Sequence, residues 1–558
     1  MWQSGSVHPF RRADALRRLA DEEFDVLVVG GGVTGAGVAL DAASRGLRTA
    51  LVEKGDFGSG TSSKSSKMVH GGIRYLQQRE FRLVYENLAE RQRLLDNAPH
   101  LVSPLPFLIP LFGRNGVVSK ALARSYSSVL WLYDVTGGWR IGERHRRVDK
   151  QQALAHLPTL NTDQIVAGFL YFDARADDAR LTLTLARTAA FEYGAAVANY
   201  TPVVRLTSGP GGTATGAMVR PVPDDETSDF AVRARVVVNA TGVWSDAVRA
   251  LDEGAHPNSI RPAKGVHVTV PAERLPCDIA AVIPVPKDRR SIFVVSWPWS
   301  DLVYLGTTDT DYTGPLDDPA CTPEDVDYLL EAANAVTTSH LTRADVTGVW
   351  AGLRPLLAPT VKGGQSERTA DLSRRHTVMT SREGVVTVTG GKLTTYRKMA
   401  QDTVDAAVRV LGESPRHRRC VTKSLRLLGA TTRTRDPVTQ AQPQARLLGR
   451  YGTEMEAVDV LADRRPELRD PIVEGLPYLG AELLYAAREE MAQSLDDVLS
   501  RRTRARIQRA HAAMAAAPAA AALLAPEMGW DQRAAADQVS HFVESCQKEL
   551  LTAGLDLP

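Results

Sequence analysis

The chain of 558 residues contains few cysteines, and those that it has lie far apart. Cys277, Cys321, Cys420 and Cys546 form no CxxC pair, although such pairs are typical of structural zinc sites, iron–sulfur clusters and redox motifs. The pattern therefore argues against a bound metal and against a disulfide framework. It is typical of a protein that stays in a reducing cytoplasm.

The sequence also lacks a clean apolar run of about 18 residues, which argues against a membrane-spanning helix. The nearest candidate, AAMAAAPAAAALLAP at 512–526, is mostly alanine, and Pro518 predicts two short helices joined by a turn. The N-terminus has no apolar signal-peptide core, because PFRRADALRRLA at 9–20 is basic and amphipathic. We therefore expect a soluble or peripheral protein.

An excess of one charge is absent as well. The chain has 67 basic and 65 acidic residues, a net charge of +2, so nothing predicts a nucleic-acid partner and any basic site must be local. Its hydrophobic content of 44% is that of an ordinary globular protein. The length exceeds what one hydrophobic core supports, so we expect two or three domains.

Residues 24–57 read as a strand, a glycine-rich turn, a helix and a second strand, which is one βαβ unit. The turn carries GxGxxG at Gly30, Gly32 and Gly35, and the helix that follows presents its N-terminus to a pyrophosphate. Glu53 ends the second strand, where a carboxylate can accept hydrogen bonds from both hydroxyls of an adenosine ribose. The unit predicts a dinucleotide site but does not separate FAD from NAD.

Two later glycine turns are relevant to the choice between FAD and NAD. NATG at 239–242 closes a buried strand, and TGGKLTT at 389–395 joins a strand to a long helix. A second helix N-terminus could face the far end of a flavin, where negative charge gathers on reduction. Two ordinary turns are an equally good interpretation of the same residues.

Residues 59–76, SGTSSKSSKMVHGGIRYL, are rich in hydroxyls, lysines and glycines and poor in aliphatic side chains. They fit an exposed loop, and they also fit a backbone wrapped around an anion. After about residue 412, alanine, arginine, glutamate and leucine recur at helical spacing and predict a helical domain.

Nine sequence blocks over residues 22–405 match one known family in the order that the family has them. They are VVGGGVTGAG, TSSKSSKMVHGGIRYL, EFRLVYENLAER, DDARL, NATGVW, KGVHV, LGTTD, GLRPL and GGKLTTYRKMA. The chain thereby resembles the FAD-dependent glycerol-3-phosphate dehydrogenases, a branch of the amino-acid-oxidase-like flavoproteins.

The resemblance implies the fold class: an α/β (α+β) FAD-binding Rossmann-like domain of the amino-acid-oxidase-like type, with an interleaved mixed-sheet substrate domain and an all-α C-terminal domain. We expect an N-terminal extension at 1–21 and the FAD-binding domain at 22–410. Its substrate-binding parts lie at roughly 100–165 and 262–350, and the helical domain follows at 411–558.

In that family the serine-rich segment wraps the pyrophosphate and ribityl chain of FAD, so the resemblance favours the anion-wrapping interpretation of residues 59–76. The predicted FAD contacts come from the glycine turns, this segment and the end of the second strand. They are Gly30, Gly32, Thr34, Gly35, Glu53, Lys54, Ser59, Thr61, Ser62, Ser66, Gly71, Gly72, Ala240, Gly242, Gly391, Lys392, Leu393 and Thr394.

The implied reaction oxidises sn-glycerol 3-phosphate to dihydroxyacetone phosphate, with hydride moving from C2 to flavin N5. Arginine forks match phosphate oxygens, and Arg74, Arg354 and Arg374 match substrate-pocket positions of the family, with Arg375 as an alternative to Arg374. Further predicted substrate contacts are Tyr75, Thr308 and Lys392, although Lys392 could instead stabilise the reduced flavin.

His267, in KGVHV, is the candidate general base. A histidine near its ordinary pKa can take a hydroxyl proton at neutral pH. A histidine that is only hydrogen-bonded within a strand is the competing interpretation. In a second scheme Arg354 stabilises the alkoxide and water takes the proton. Arg74, Arg354 and His267 are therefore the predicted catalytic residues.

The resemblance also implies that electrons pass to a membrane quinone. VVSKALARSYSSVLWLYD at 117–134 carries Lys120 and Arg124 beside Leu122, Val129, Leu130, Trp131 and Tyr133, which suits an interfacial helix. A helix packed under the flavin domain fits as well, and the basic N-terminal segment is a second candidate for membrane contact. We expect a cytoplasmic protein held peripherally at the cytoplasmic face of the membrane, and a homodimer is possible.

Three rival functions stay open from the sequence. An α-glycerophosphate oxidase would pass its electrons to O2. An amine or amino-acid oxidase on the same fold would bind a carboxylate, which one or two basic groups satisfy, and would oxidise a C–N bond. A non-catalytic FAD-binding protein would hold FAD that glycerol phosphate does not reduce.

Overall fold

Two β-sheets and a set of helices build the chain. The computed structural model describes residues 10–77, 80–113, 120–222, 229–285, 288, 290–358, 375–431 and 443–557, and it describes only the backbone of residues 74, 77, 120–124 and 443. Within that part the strands are β1 (Glu23–Val29), β2 (Thr49–Val52), β3 (Met68–Val69), β4 (Val102–Phe112), β5 (Arg146–Asp149), β6 (Ile165–Ala176), β7 (Ala196–Ala198), β8 (Val203–Ser208), β9 (Ala214–Val219), β10 (Phe230–Asn239), β11 (Ile260–Pro271), β12 (Ala280–Pro284), β13 (Ser291–Ser296), β14 (Leu302–Gly306), β15 (Thr310–Asp311), β16 (Gly348–Leu357), β17 (Thr377–Thr380) and β18 (Val386–Thr389).

The helices lie mostly against the first sheet and in the last quarter of the chain. They are α1 (Arg12–Asp21), α2 (Val33–Ser44), α3 (Ile73–Gln77), α4 (Phe81–Asn97), α5 (Lys120–Thr136), α6 (Lys150–His156), α7 (Asp178–Tyr193), α8 (Ser245–Glu253), α9 (Pro323–Asn334), α10 (Tyr396–Val410), α11 (Pro443–Tyr451), α12 (Met455–Arg464), α13 (Gly480–Glu489), α14 (Ala505–Gln508), α15 (Ala510–Met528) and α16 (Gln532–Thr552), with a π-helix at Asp497–Thr503.

The first sheet has the strand order β17-β18-β10-β1-β2-β7, with β8 and β9 continuing from β10. Strands β18, β10, β1, β2 and β7 are parallel. Strand β1 is continuously apolar from Val26 to Val29, because both of its faces are covered there. Val26 and Val28 pack with α2, α7 and α10, whereas Leu27 and Val29 pack towards α1 and β9.

Parallel pairing decides where the functional turns lie. The carboxyl ends of β1, β2, β10 and β18 meet at one edge of the sheet, and the chain turns there into α2, the serine-rich segment, α8 and α10. Ligands of open α/β sheets bind at this edge. The glycine turns that lie far apart in the sequence are therefore neighbours in space.

The second sheet is mixed and has the order β15-β11-β14-β13-β12-β4-β6-β3, with β16 on β11 and β5 on β6. Its strands come from residues 68–176 and 260–357, so two separate stretches of the chain interleave with the flavin-type sheet. Only the pair β12 and β4 is parallel among the described pairs of this sheet. Two mixed sheets and a helical C-terminal part confirm the expected fold class.

The expectation of a helix–turn–helix at 512–526 is wrong. Helix α15 runs unbroken from Ala510 to Met528 and contains both Pro518 and Pro526. The ring of Pro518 faces solvent, while Ala517, Ala520 and Leu524 are buried against the neighbouring helices. Burial of this alanine-rich face outweighs the missing hydrogen bond, which costs about 3 kcal/mol in a helix interior. Within the described residues, no helix is both long and apolar enough to cross a membrane.

Buried ion pairs join the helical C-terminal part to the flavin-type sheet. Arg187 of α7 binds Glu454 at 2.7 Å, and Arg180 of the same helix binds Glu490 at 2.6 Å. Buried pairs add little net stability, but leaving one partner unpaired is strongly destabilising. They therefore fix how the two parts are oriented.

Candidate functional site

The first glycine turn has a backbone that other residues could not adopt. Gly30 has φ +107°, and a Cβ at Gly35 would lie 1.8 Å from the carbonyl oxygen of Gly30. The backbone N–H of Val33 donates to the Ser62 hydroxyl at 2.9 Å, which ties the start of α2 to the serine-rich segment. The next N–H groups, at Thr34 and Gly35, have no acceptor within the helix by geometry. Such a helix N-terminus suits an anion.

The carboxylate of Glu53 lies at the end of β2, beside this turn. Its oxygens accept hydrogen bonds from the N–H of Gly31 at 2.6 Å and of Gly55 at 2.9 Å. Burial raises the pKa of Glu53 above its ordinary value, although these two N–H donors act in the opposite direction. Each carboxylate oxygen keeps a further lone pair, which suits a ribose hydroxyl.

The serine-rich segment crosses the face of β16 and β11. The Thr61 hydroxyl donates to the carbonyl of Leu353 at 2.5 Å, and the Trp350 indole donates to the carbonyl of Ser65 at 3.2 Å. A Cβ at Gly352 would lie 2.5 Å from the Lys64 carbonyl oxygen, so glycine is what permits this approach. The segment is therefore ordered by the second sheet, as the anion-wrapping interpretation requires.

His267 lies at the centre of this crossing and is almost fully buried. Its Nε2 is 2.8 Å from the Ser66 hydroxyl, and its ring stacks on Trp350 with centroids 4.7 Å apart. Burial, and then the charges of Lys67 and Arg354, lower the pKa of His267 well below its usual range. In the described part of the chain, Nδ1 has no hydrogen-bond partner. The ring is thus neutral at pH 7, its Nδ1 is buried, and its pKa is not the ordinary one expected from the sequence.

Arg354 lies on the same face of the sheet, because Ala263 pairs with Arg354 and His267 pairs with Trp350 in one register. Its guanidinium donates to Asp309 at 3.0 Å and to the Thr307 hydroxyl at 3.2 Å. The predicted ligand Arg354 is therefore held by a carboxylate at the edge of the site. The same guanidinium donates to the carbonyls of Lys264 at 3.3 Å and Thr308 at 3.2 Å, and its contact with substrate stays a prediction.

Two sequence-distant segments meet beside this face. The N–H of His70 donates to the Thr394 hydroxyl at 3.2 Å, and the Lys392 ammonium lies 3.8 Å from the centre of the Tyr75 ring. Gly71 donates to the Tyr133 hydroxyl at 2.9 Å, which leaves no room for a side chain. The predicted contacts in HGGIRYL and GGKLTT thus share one region.

Other predicted residues have evident partners within the protein. Thr308 is buried, and its hydroxyl accepts from the Val266 N–H at 3.0 Å, so it fastens β11 to the chain after β14. Lys54 pairs with Asp317 and lies 4.1 Å above the Trp244 ring. Direct contact of either with substrate or cofactor remains a prediction.

The remaining predicted residues fall into two groups. The side chain of Arg74, in α3, and the whole of Arg374 lie outside the described part of the chain. Arg375, the alternative, pairs with Glu80 at 2.5 Å and is exposed. At the carboxyl edge of the first sheet, or in the loop beside it, lie Gly32, Ser59, Gly72, Ala240, Gly242, Gly391 and Leu393.

Several residues of the site have no motif that singles them out. The Trp350 ring stacks on the His267 ring, and Asp309 forms an ion pair with Arg354. The Tyr304 hydroxyl donates to the Ser66 carbonyl at 3.0 Å. Asp309 follows LGTT directly, so its place beside a predicted ligand was visible. Trp350 and Tyr304 could be found only from the register of β11 with β16 and β14.

The residues present fit a long dinucleotide such as FAD. The turn at Gly30–Gly35 has a free helix N-terminus, and Gly242 has open space where a Cβ would lie. The turn at Gly390 and Gly391, with φ of +74° and +80°, opens at the same edge of the sheet. Glu53 suits the ribose, and the backbone and hydroxyls of residues 59–66 suit the phosphates and the sugar chain.

Known proteins resemble the chain over nearly its full length. The model of the family "FAD dependent oxidoreductase" matches residues 25–397, and that of the "C-terminal domain of alpha-glycerophosphate oxidase" matches residues 420–535. The chain is 42% identical over 565 residues to glycerol-3-phosphate dehydrogenase 2 of Mycobacterium tuberculosis (strain ATCC 25618 / H37Rv), covering 99% of this chain and 93% of that protein.

Two further likenesses extend this result. The mitochondrial glycerol-3-phosphate dehydrogenase of Homo sapiens is 37% identical over 554 residues, covering 94% of this chain and 73% of that protein. The crystal structure of the glycerol-3-phosphate dehydrogenase from Bacillus halodurans, complexed with FAD, matches with a TM-score of 0.75 at 30% identity and covers 98% of each chain.

Proposed function

Because the chain belongs to the FAD-dependent oxidoreductases, among the glycerol-3-phosphate dehydrogenases, we propose that it oxidises sn-glycerol 3-phosphate to dihydroxyacetone phosphate. FAD is its cofactor. One observation carries the proposal. His267 contacts Ser66 of the serine-rich segment 59–76, called the flavin segment from here on, and it does so on the sheet face that also bears Arg354. A base, a cofactor segment and a cation thus meet at one place.

His267 takes the proton of the C2 hydroxyl. Burial and two nearby cations lower its pKa, so the ring is neutral at pH 7 and able to accept a proton, but it is a weaker base than the ordinary histidine expected from the sequence. When Nε2–H donates to the Ser66 hydroxyl, Nδ1 is the accepting atom. The Trp350 stack holds the ring in place during the transfer.

The cations of the site hold the phosphate and the developing negative charge. Arg354 and Lys392 supply fixed positive charge, and Arg74 and Arg374 complete the proposed set. Charge-assisted hydrogen bonds contribute about 1.5–3 kcal/mol each. Bound FAD supplies the hydride acceptor at N5. The protein's task is to hold C2 beside that atom and to exclude water.

We further propose that electrons pass to a membrane quinone and that the protein lies peripherally at the cytoplasmic face of the membrane. Helix α5 exposes Trp131 and Val135, which are 55% and 69% accessible, and the turn at Gly138–Ile141 exposes Trp139. Phe81 and Tyr85 of α4, which packs on α5, are also exposed. Aromatic side chains rimmed by arginines suit a lipid surface.

These exposed aromatic and apolar side chains form a patch, and its position supports α5 as the helix that contacts the membrane. The Tyr133 hydroxyl of α5 accepts from the Gly71 N–H in the flavin segment, so the helix that exposes Trp131 and Val135 also contacts that segment. Two of the aromatic and apolar anchors expected from the sequence, Leu130 and Tyr133, are buried instead. They attach α5 to the core, and the outward anchors are Trp131 and Val135.

Anaerobic bleaching of the flavin absorbance tests the function directly. The purified FAD-loaded protein receives sn-glycerol 3-phosphate, with glycerol and a D-amino acid as controls. Bleaching by the phosphate ester alone supports the proposal, and bleaching by the amino acid would move the substrate to an amine. Admitting air and then a soluble quinone analogue separates an oxidase from a quinone-linked dehydrogenase, because only an oxidase reoxidises rapidly in air.

A further inference from the structure

A buried carboxylate outside the predicted site joins the helical C-terminal part to the flavin segment. Asp178 is the first residue of α7 and is completely buried. It pairs with Arg504, which follows the π-helix of the C-terminal part, and with the Lys67 ammonium at 3.3 Å. Arg504 and Lys67 are also almost fully buried. Two cations from distant parts of the chain thus share one carboxylate.

Arg504 and Lys67 both have a backbone conformation with positive φ, which residues other than glycine rarely adopt. Arg504 has φ +101° and Lys67 has φ +55°. Arg504 directly follows the π-helix Asp497–Thr503, and such helices are rare and frequent at functional sites. Left-handed conformations of residues other than glycine cost about 1–3 kcal/mol and persist only where surrounding contacts over-determine them. Asp178 is a shared partner of both residues, and Arg504 also pairs with Asp177 at 3.4 Å.

The cluster binds the flavin segment at two residues, Ser63 and Ser65. Asp178 accepts from the N–H and the hydroxyl of Ser65, at 3.1 and 2.7 Å. Lys67 and Arg504 both donate to the carbonyl of Ser63, at 3.1 and 3.3 Å. Asp178 and Arg504 reach the segment from α7 and from the C-terminal part, whereas Lys67 belongs to the segment and its ammonium lies 4.8 Å from the centre of the Trp350 ring.

The same segment also contacts the proposed base and the ring stacked on it. The Trp350 indole donates to the Ser65 carbonyl, and the Ser66 hydroxyl meets His267. Residues 63–67 are thereby clamped between the ionic cluster and the stacked pair of His267 and Trp350. A shift of Ser65 on one side moves Ser66 on the other, because they are adjacent in the chain.

We propose that Arg504, Asp178 and Lys67 are positioning residues that set the flavin segment against His267, so that the helical C-terminal part directly shapes the proposed active site. None of the three needs to touch substrate. In the test below, the measurement of flavin bleaching by substrate rests on the proposed function. The measurements of hydrogen exchange and of visible circular dichroism do not. A merely structural ion cluster would instead affect stability alone.

The chain offers a matched control for Arg504→Met. Arg187→Met removes another buried arginine that joins α7 to the C-terminal part, through Glu454, and Arg187 contacts no residue of the flavin segment. Both variants lose a charge-assisted contact across the same interface. They differ in whether residues 63–67 lose their support.

Three measurements compare the variants with the wild type. Amide hydrogen exchange of peptides spanning residues 61–69 is measured on the protein without FAD. Visible circular dichroism reports the surroundings of the flavin on the loaded protein. Stopped-flow bleaching by sn-glycerol 3-phosphate gives the limiting rate of flavin reduction and the substrate concentration at half-saturation.

Arg504→Met is expected to speed exchange in 61–69, change the visible dichroism and slow the limiting rate about 100-fold, since a misplacement of about 1 Å costs that much. The substrate concentration at half-saturation should change less than about threefold. Arg187→Met should leave all three close to wild type. Equal effects of the two variants, or wild-type exchange in Arg504→Met, would overturn the proposal.

Ser65→Ala keeps the test decisive if Arg504→Met does not fold. It removes the hydroxyl that donates to Asp178 but leaves Arg504, Asp178 and Lys67 in place. It should change exchange, dichroism and the limiting rate in the same direction as Arg504→Met, by smaller amounts. Wild-type exchange and dichroism in Ser65→Ala would overturn the proposal. If the wild type is not bleached at all, the proposed function fails, while exchange and dichroism still decide the positioning role.

Discussion

The imidazole of His267 lies flat against the indole of Trp350, with ring centroids 4.7 Å apart and planes inclined by only 4°. The two residues are direct partners in the register of β11 and β16. Trp350 also donates to the Ser65 carbonyl. One indole therefore fixes the plane of the proposed base and supports the proposed cofactor segment.

Replacement of His267 tests its role as the base. His267→Gln should lower the limiting rate of flavin reduction by about 10²–10⁴-fold, the usual contribution of a general base, with bound FAD retained. Stopped-flow bleaching and the flavin-to-protein ratio measure both quantities. His156→Gln, at the last residue of α6, where the histidine pairs with Asp278, is the control. A rate within threefold of wild type would favour the scheme in which Arg354 stabilises an alkoxide and water takes the proton.

The approach of the flavin segment to β16 depends on one glycine. Gly352→Ala should weaken FAD binding at least tenfold, because its Cβ would lie 2.5 Å from the Lys64 carbonyl oxygen. Titration of the FAD-free protein, followed by flavin fluorescence, measures the affinity. Gly194→Ala has open space around its Cβ but a φ of +69°, so it costs about 1 kcal/mol in backbone strain. Similar losses of affinity in both variants would show a general effect of stability.

The pH dependence of stability should reflect a second buried histidine. Burial, with the charges of Arg180 and Arg426, lowers the pKa of His100 to about 3, whereas an unfolded histidine titrates near 6.5. Between these values the unfolded chain binds a proton that the native protein does not. The free energy of unfolding therefore falls as pH drops below about 6.5, by about 1.4 kcal/mol per pH unit for one such histidine.

His100→Gln should remove that contribution, so its stability should fall less between pH 6.5 and pH 4.5. Urea unfolding followed by intrinsic fluorescence at several pH values compares the slopes. His256→Gln, at an exposed histidine, should keep the wild-type slope. Unchanged acid sensitivity of His100→Gln would mean that His100 is not kept neutral in the native protein.

The exposed patch on α5 makes a prediction about membrane contact. Trp131→Asp together with Val135→Asp should reduce binding to vesicles of anionic phospholipid at least tenfold, because two charges replace apolar contact area. Flotation with vesicles measures the bound fraction, and bleaching by substrate should be unchanged. Leu551→Asp, at an exposed leucine of α16, is the control. Vesicle binding that survives the double change would leave the N-terminal segment as the candidate.

The glycine turns, Glu53 and the helical C-terminal part could be predicted because local rules decide them. A tight turn before a helix needs glycine at Gly30 and Gly35, and alternation or helical spacing of apolar residues gives β1, α4 and α10. The break expected at Pro518 did not occur, because the exposed ring let the buried alanines of α15 continue the helix.

The sequence by itself determined the positions of the nucleotide turns, since they depend on residues that are close together in the chain, and its nine blocks over residues 22–405 determined the family and the cofactor. Only the tertiary structure placed Trp350 under His267 and Arg504 on Asp178. The latter pair is separated by 326 positions. Contacts of that kind follow from strand register and from how the C-terminal helices pack, and no local spacing encodes them. The physical reason is that parallel strands and buried ion pairs join segments that are distant in sequence.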